Sequence, residues 1–191
     1  MGICCGRPSE EEEERMRMEA LPKVLIDENY KGPNVVVDGG LCVRGRGAAL
    51  ANGPLVQDQS YWEVKVKSGG SWGLGVSLRT EDLKSVPLGQ GNQSWVFRND
   101  GEIYHCGEAY TQYADKIAVK EGDVIGCSYD HVDLHFYING KQLECSVMTV
   151  RGKVYPSVYV DNGAVLDCEF TNFAHPPPRG YSRIMFEQSL L

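Results

Sequence analysis

The segment 69–73, Gly-Gly-Ser-Trp-Gly, matches the G-x-S-x-G pattern of serine hydrolases, and Asp130 and His131 follow it downstream. In those enzymes the serine lies on a sharp turn between a strand and a helix, beside the backbone amides that bind the oxyanion. Here Ser71 is followed by Trp-Gly-Leu-Gly-Val, which is typical of a strand. The pattern therefore favours a glycine-rich hairpin turn. A hydrolase that uses Ser71 is kept as a remote alternative, and we expect the chain not to be an enzyme.

The histidines, cysteines and aspartates are the candidate metal ligands of this sequence. His131 and His135 have a spacing with which two histidines on a helix can share a zinc ion. On a strand, four residues cover about 13 Å, so these two side chains cannot bind one ion. No C-x2-C pair is present, and the aspartates lack the dense ligand loop that calcium requires. We expect no metal and no cofactor.

The first residues, Met-Gly-Ile-Cys-Cys-Gly, suggest lipid attachment. Removal of Met1 would expose Gly2 for N-myristoylation, and Cys4 and Cys5 are candidates for palmitoylation. A single acyl chain attaches a protein to a membrane only weakly and reversibly, whereas two chains give stable anchoring. Gly6 stands where the myristoylation pattern prefers Ser or Thr. The alternatives are dual acylation with peripheral membrane association, an unmodified flexible terminus, and a thiol site for redox chemistry or metals.

Composition narrows the classes of protein. With 191 residues, 42% of them apolar, the chain is long enough for one domain with a substantial core. It has no apolar stretch near the roughly 20 residues of a membrane-spanning helix and no secretory signal core, so we expect the cytoplasm. A net charge of −7 opposes binding to nucleic acid.

The charge is concentrated at the N-terminus. Residues 1–20 hold three arginines and six glutamates, a net charge of −3, and the composition changes near Leu21. Glutamate–arginine pairs four residues apart favour a helical turn or two, but isolated helices of this length are marginal in water. We predict a flexible acidic arm over 1–22 and a single domain over 23–191.

Beyond the arm, short alternating segments predict half-buried strands. In 61–67, apolar residues alternate with Glu and Lys, so Glu63 is expected to face water. In 133–138, His135 and Tyr137 are likewise expected on the solvated face. The residues of 61–67 expected in the core are Trp62, Val64 and Val66.

Turn residues separate these strands at regular intervals. The predicted turns lie at 38–40, 99–101, 139–140 and 161–163. The last is expected to join 154–160 and 165–170 as a strand pair. No apolar pattern of period 3.6 is long enough for a core helix. These features together predict an all-β fold, an antiparallel β-sandwich of two sheets.

Three segments carry a family resemblance: QSYWEVKVKSGGSWGLGVS, EGDVIGCSYDHVDLHFYINGKQLE and KVYPSVYVDNGAVLDCEF. In order and spacing they resemble the core strands of the SPRY domain. The resemblance implies a bent sandwich of two antiparallel sheets, B30.2-like and concanavalin-like in architecture. It also implies a non-catalytic module that binds a partner protein or peptide through loops at one edge, and we expect a monomer.

That resemblance directs attention to the turn 69–71, the loop 79–92 and the turn 161–163. Leu88 is the candidate apolar anchor, and the candidates for hydrogen bonding to an extended peptide are Ser71, Arg79, Gln90, Asp161 and Asn162. SPRY relatives that capture Asn-rich peptides carry an aromatic residue before the glycine of the last turn. This chain has Asp-Asn-Gly there and departs from that pattern.

The C-terminal segment begins with Pro176, Pro177 and Pro178. It lacks the P-x-x-P spacing that SH3 domains recognise. We predict that these prolines stiffen a crossing that brings 181–186 back against the sandwich.

Overall fold

A computed structural model of the protein describes residues 8–19, 22–110 and 117–186. Within these ranges the chain forms one α-helix and fourteen β-strands. The elements are α1 (Glu10–Glu19), β1 (Ile26–Lys31), β2 (Asn34–Asp38), β3 (Cys42–Ala51), β4 (Ser60–Ser68), β5 (Ser71–Leu78), β6 (Ser94–Arg98), β7 (Ile103–His105), β8 (Glu108–Ala109), β9 (Val124–Tyr129), β10 (Leu134–Ile138), β11 (Lys141–Val147), β12 (Val154–Asp161), β13 (Val165–Glu169) and β14 (Ser182–Arg183).

Helix α1 begins with a capping box. The Glu12 amide donates to Ser9 Oγ at 3.2 Å, and the Ser9 amide donates to Glu12 Oε2 at 2.9 Å. This reciprocal cap was not anticipated, and the helix runs for ten residues rather than the one or two turns expected from sequence. Its side chains through Arg17 are exposed, so it lies outside the core. Among the described residues, no helix has both the length and the apolar character needed to span a membrane.

The strands follow one hydrogen-bonded path, in the order β11-β10-β9-β4-β13-β3-β12-β5-β6-β7-β8. Strands β1 and β2 also pair with β3, and β14 pairs with β4. Every pairing is antiparallel except that of β14 with β4. The predicted all-β antiparallel class is therefore confirmed. Its finer form, two separate sheets, is not found in the pairing, because one curled sheet runs through β3.

Strand β3 belongs to both halves of this sheet. Its residues 42–46 pair with β2 and β13, and its residues 47–51 pair with β12 and β1. We call the strands β2, β13, β4, β9, β10, β11 and β14 the first half, and β1, β12, β5, β6, β7 and β8 the second half. Gly45 and Gly47 lie at the change of partner with φ of 100° and 134°, values that side chains disfavour.

The two halves pack on each other around an apolar core. Phe97 on β6 and Phe136 on β10 bring their ring centroids to 5.6 Å, and Trp72 on β5 lies 6.3 Å from Phe97. The residues of β4 predicted to face inward are buried, as the alternation indicated; these are Trp62, Val64 and Val66. The period of two along each strand therefore positions the core.

Three of the predicted turns join paired neighbours, and two do not. The turns between β2 and β3, β6 and β7, and β10 and β11 are hairpins, as predicted. The turn 161–163 instead joins β12 to β13, which pair with different parts of β3. The glycine-rich turn 69–71 joins β4 in the first half to β5 in the second, so the hairpin predicted there is also wrong. Turn chemistry reverses the chain without specifying which strands then pair.

The C-terminal segment covers the outer face of the first half. Strand β14 pairs in parallel with the start of β4, and Ile184 is buried in the core. As a result, Glu63 and Tyr137, both expected in water, are buried. The Glu63 carboxylate accepts hydrogen bonds from the backbone amides of Ala174 at 2.6 Å and His175 at 3.0 Å.

Removal of the Phe136 ring tests how far the contact between the halves stabilises the fold. We expect Phe136→Ala to lower the free energy of unfolding by about 3 to 5 kcal/mol, because the ring is fully buried against Phe97. Urea denaturation measures the change, with Lys65→Ala at an exposed position of β4 as the control, expected to change stability by less than about 0.5 kcal/mol. Equal effects of the two variants would contradict the assigned core.

Candidate functional site

Three turns lie side by side at one end of the sheet and form a surface that we call the rim: 69–71, 99–101 and 161–163. Asp161 pairs in register with Ser71 across β12 and β5. The Trp72 amide donates to Asn99 Oδ1 at 3.1 Å, and the Asn99 amide donates to the Trp72 carbonyl at 3.0 Å. The structure therefore brings together Ser71, Asp161 and Asn162, which the sequence analysis had grouped.

Gly70 locks two of these turns together. Its φ is 144°, and a Cβ there would lie 2.6 Å from the Ala164 nitrogen and 2.7 Å from the Asn162 carbonyl oxygen. Only a glycine allows the two backbones to approach so closely. The rim is consequently a fixed backbone surface and not a set of independent loops.

Polar groups cover this surface. Asp161 Oδ1 accepts the Asn162 amide at 2.8 Å, and Asp161 Oδ2 lies 3.6 Å from Arg46 Nε. Asn162 is exposed with φ of 52°, and Ser71 is half-buried. The exposed donors and acceptors suit the backbone of an extended peptide.

Arg79 is not part of the rim. It follows the last residue of β5, whereas Ser71 begins that strand, which places them about 25 Å apart. Its Nη1 donates to Asp27 Oδ2 at 3.1 Å, and its guanidinium lies over the rings of Tyr30 at 3.7 Å and Tyr155 at 4.2 Å. Arg79 therefore holds the start of the loop against β1 and β12, and its predicted grouping with the rim is wrong.

Leu88 is buried and cannot act as the exposed anchor predicted for it. Only 2% of Leu88 is accessible, because it packs on Ala48, Val96 and Tyr159 in a second apolar cluster. These residues lie on the outer face of the second half, which the loop after β5 covers. Gln90, two residues further along the same loop, is exposed.

Arg98, which the sequence analysis did not select, lies beneath the rim. It is 7% exposed, and its Nε and Nη2 both donate to the Leu88 carbonyl, with Nε at 3.0 Å. Its guanidinium also lies 3.7 Å over the ring of Tyr104, whose hydroxyl donates to Asp100 Oδ2 at 2.7 Å. Burial lowers the pKa of Arg98. The sequence gives one signal for this position: Arg98 follows Val96 by two residues and so lies on the same outward side of β6.

Tyr159 lies under the same surface. Burial raises the pKa of its phenol, with opposing influences from Arg98 and Ser71. The phenol is therefore neutral at physiological pH, and together with Arg98 it gives the rim a polar floor.

The geometry does not assemble a serine-hydrolase triad from Ser71, Asp130 and His131. Ser71 follows the end of β4, whereas Asp130 and His131 follow β9, whose last residue pairs with the start of β4. The length of β4 separates these groups by about 27 Å. His131 Nε2 donates to the Gln57 carbonyl at 2.9 Å, far from Ser71. A strand and not a helix follows Ser71, as predicted.

The two histidines with zinc-like spacing have separate partners, since His135 Nδ1 accepts from Gln142 Nε2 at 3.0 Å. Among the described residues, no group of three or more His, Cys, Asp or Glu side chains is arranged to hold a metal. Cys127 and Cys168 are buried, and burial raises the pKa of both thiols. Gly2, Cys4 and Cys5 lie outside the described residues, so lipid attachment stays a prediction.

Comparison with known proteins identifies the class to which this fold and rim belong. The SPRY domain family model matches residues 59–173, which is more than half of the chain. The chain therefore belongs to the SPRY domain family.

Particular relatives follow from the same comparisons. The chain is 44% identical over 174 residues to SPRY domain-containing protein 7 of Homo sapiens, an alignment that covers 91% of this chain and 89% of that protein. The SPRY domain of human HERC1 superimposes with a TM-score of 0.64 at 19% identity, covering 75% of this chain and 96% of the domain. The TRIM65 PSpry domain gives a TM-score of 0.60 at 19% identity, covering 81% and 96%. At these identities the two structures show the fold alone.

Two glycine variants test the close packing of the rim. Gly70→Ala is expected to cost at least about 2 kcal/mol of stability, because it adds a collision to an unfavourable φ. Gly163→Ala is the matched control: its φ is 84°, but a Cβ there meets nothing within 4 Å, so we expect a loss of about 1 kcal/mol. Thermal or urea unfolding compares the two. A Gly70 variant that is no less stable than the Gly163 variant would show that the turns are not in contact.

Proposed function

We propose that this chain is a non-catalytic interaction module that binds a partner protein or peptide through the rim, on a two-layered scaffold. The proposal depends on one observation: turns from both halves of the sheet meet backbone to backbone around Gly70. A surface held in this way loses little conformational freedom when a partner binds, which favours affinity. Membership of the SPRY family, in which protein–protein interaction is the general role, supports the same function.

The exposed chemistry of the rim indicates how a partner would be held. Ser71 and Asn162 each offer a donor and an acceptor, and Asp161 offers a carboxylate beside Arg46. Such groups pair with the amides and carbonyls of an extended segment. Gln90 is a further exposed amide, on the loop that covers the outer face of the second half.

Leu88, Arg98 and Arg79 have structural roles in this proposal and do not bind the partner directly. Leu88 and Arg98 form the floor of the rim through the bonds between the guanidinium and the Leu88 carbonyl. Arg79 anchors the beginning of the covering loop. The buried side chains of Leu88 and Arg98 are not expected to touch the partner. Substitutions of these two residues should therefore lower stability and affect binding only indirectly.

Combined replacement of Ser71 and Asn162 on the rim and of the exposed Gln90 on the covering loop tests the proposed binding residues. We expect Ser71→Ala, Gln90→Ala and Asn162→Ala together to remove the specific crosslinked partners of the chain in cells, measured by crosslinking mass spectrometry. Ser71→Ala removes the hydrogen bond between Ser71 and Tyr159, so we expect the variant to stay folded with a loss of stability of about 1 kcal/mol, measured by urea unfolding.

The matched control is Lys141→Ala with Glu144→Ala, at exposed positions of the edge strand β11. These changes should leave the partner set intact. If the triple variant keeps the same partners at the same yield, the rim is not the binding surface.

We also propose that acylation of the N-terminus converts the module into a membrane-tethered adaptor. Gly2, Cys4 and Cys5 supply sites for the two acyl chains that stable membrane binding requires. The exposed, capped helix α1 would then extend about 15 Å between the anchor and the domain. Without acylation, the cytoplasm is the proposed compartment.

Metabolic labelling with alkynyl myristate and alkynyl palmitate tests this addition. We expect both labels on the original chain, loss of both in Gly2→Ala, and loss of palmitate alone in Cys4→Ala with Cys5→Ala, because the first chain brings the thiols to the membrane. Cys106→Ala, at an exposed cysteine outside the arm, is the control and should keep both labels. An original chain without either label would exclude the anchor and leave the rim proposal untouched.

A further inference from the structure

A second concave surface lies at the end of the sheet opposite the rim. It is a groove of about 520 Å³ between the turn that follows β9 and the segment that joins β11 to β12. We call it the far groove, and its lining residues are Tyr129, His131, Val132, Met148, Val150, Arg151 and Gly152. It is separated from the turn 69–71 by the length of β4, about 27 Å. A partner at the rim therefore leaves it free.

Exposed apolar side chains concentrate around the far groove. Val132 and Met148 are each 58% exposed on its walls. Val56 and Met185 are also exposed, and both lie next to Gln57, whose carbonyl accepts from His131 and whose Oε1 accepts the Met185 amide at 2.7 Å. Four of the eight large exposed hydrophobic residues in the described chain thus share one end of the sheet. Exposed apolar residues on a monomer are ordinarily scattered, and a cluster marks an interaction surface.

The far groove carries the positive charge of Arg151. Among the described residues no carboxylate lines it, in a protein whose net charge is −7. Arg151 makes no ion pair within 4.0 Å with any described residue. The nearby Asp130 carboxylate already accepts the amides of Val132 and Asp133 and the hydroxyl of Tyr181. Within the described chain, the free edge of the Arg151 guanidinium is therefore open to a carboxylate from a bound molecule.

Arg151 is held in position for such a charge. Its Nη1 donates to the carbonyls of Met148 at 3.1 Å and Val150 at 2.8 Å. These bonds fix one edge of the planar guanidinium to the backbone, and the other edge, with Nε and Nη2, has the geometry that binds a carboxylate. The opposite wall is also fixed, because His131 is bonded to the Gln57 carbonyl and packs on Tyr129 at 4.9 Å.

We propose that the far groove docks a short segment of a partner protein in which an aliphatic or aromatic side chain lies within a few residues of a carboxylate. The apolar side chain packs against Val132 and Met148, and the carboxylate pairs with Arg151. A volume of about 520 Å³ is within the range of sites that enclose a few side chains. One of these preorganised contacts is apolar and the other is ionic. The groove should therefore prefer a segment that carries both an apolar side chain and a carboxylate.

Nuclear magnetic resonance of the 15N-labelled full chain with three synthetic peptides tests the proposal. The first is acetyl-Ser-Leu-Phe-Gly-Glu-Asp-Ser-amide, the second replaces Glu-Asp with Gln-Asn, and the third replaces Leu-Phe with Ser-Ser. We expect the first to shift the amide signals of Val132, Met148 and Arg151, and the other two to bind at least about tenfold more weakly. Shifts confined to the rim, or equal binding of all three peptides, would overturn the assignment.

Single substitutions separate the two contacts. We expect Arg151→Gln to weaken binding of the first peptide about tenfold and to leave the second unchanged, and Val132→Ser to weaken both. The controls are Arg44→Gln and Val36→Ser, a matched arginine and an exposed valine outside the groove. If instead the signals of the groove shift with protein concentration alone, or with neutral phosphatidylcholine vesicles alone, its occupant is a second copy or a membrane and the proposal fails.

Discussion

The bend in β3 is the constraint on which the rest of the structure depends. Gly45 and Gly47 adopt positive φ angles at the point where β3 leaves one set of partners for another. A side chain at Gly45 would collide with the Asn34 carbonyl, so the two backbones can approach only because a glycine is present. One strand thereby serves both halves, and their inner faces close over a shared core that includes Phe97 and Phe136.

This closure gives the molecule two chemically different ends. At the rim, turns that cross between the halves expose hydrogen-bonding groups around Asp161 and Asn162. At the far groove, apolar side chains surround the guanidinium of Arg151, which forms no ion pair with any described residue. The length of β4, about 27 Å, separates the two surfaces, so a segment at one leaves the other accessible. The two proposals therefore stand or fall separately, and together they describe a module able to hold two segments at once.

Strand alternation predicted the inner faces of the sheet correctly but failed on its outer faces. Alternation correctly positioned Trp62, Val64 and Val66 in the core, and asparagine–glycine chemistry correctly placed the β10–β11 hairpin. The same alternation put Glu63 in water, where the C-terminal segment in fact covers it and donates two backbone amides to its carboxylate. Leu88 was misjudged for the same reason, since a loop packs on the outer face of the second half. Covering segments are long-range contacts, and no local pattern reports them.

By itself, the sequence determined the all-β class, the inward face of the strands with clear alternation, such as β4 and β10, and the positions of most of the turns. These properties are local or follow from the period of two along a strand. Only the tertiary structure decided which strands pair across the turns, that Arg98 lies under the rim, and that Arg151 lies beside Val132 and Met148. Those outcomes depend on the closure of the curled sheet, which brings together residues that are far apart in the chain.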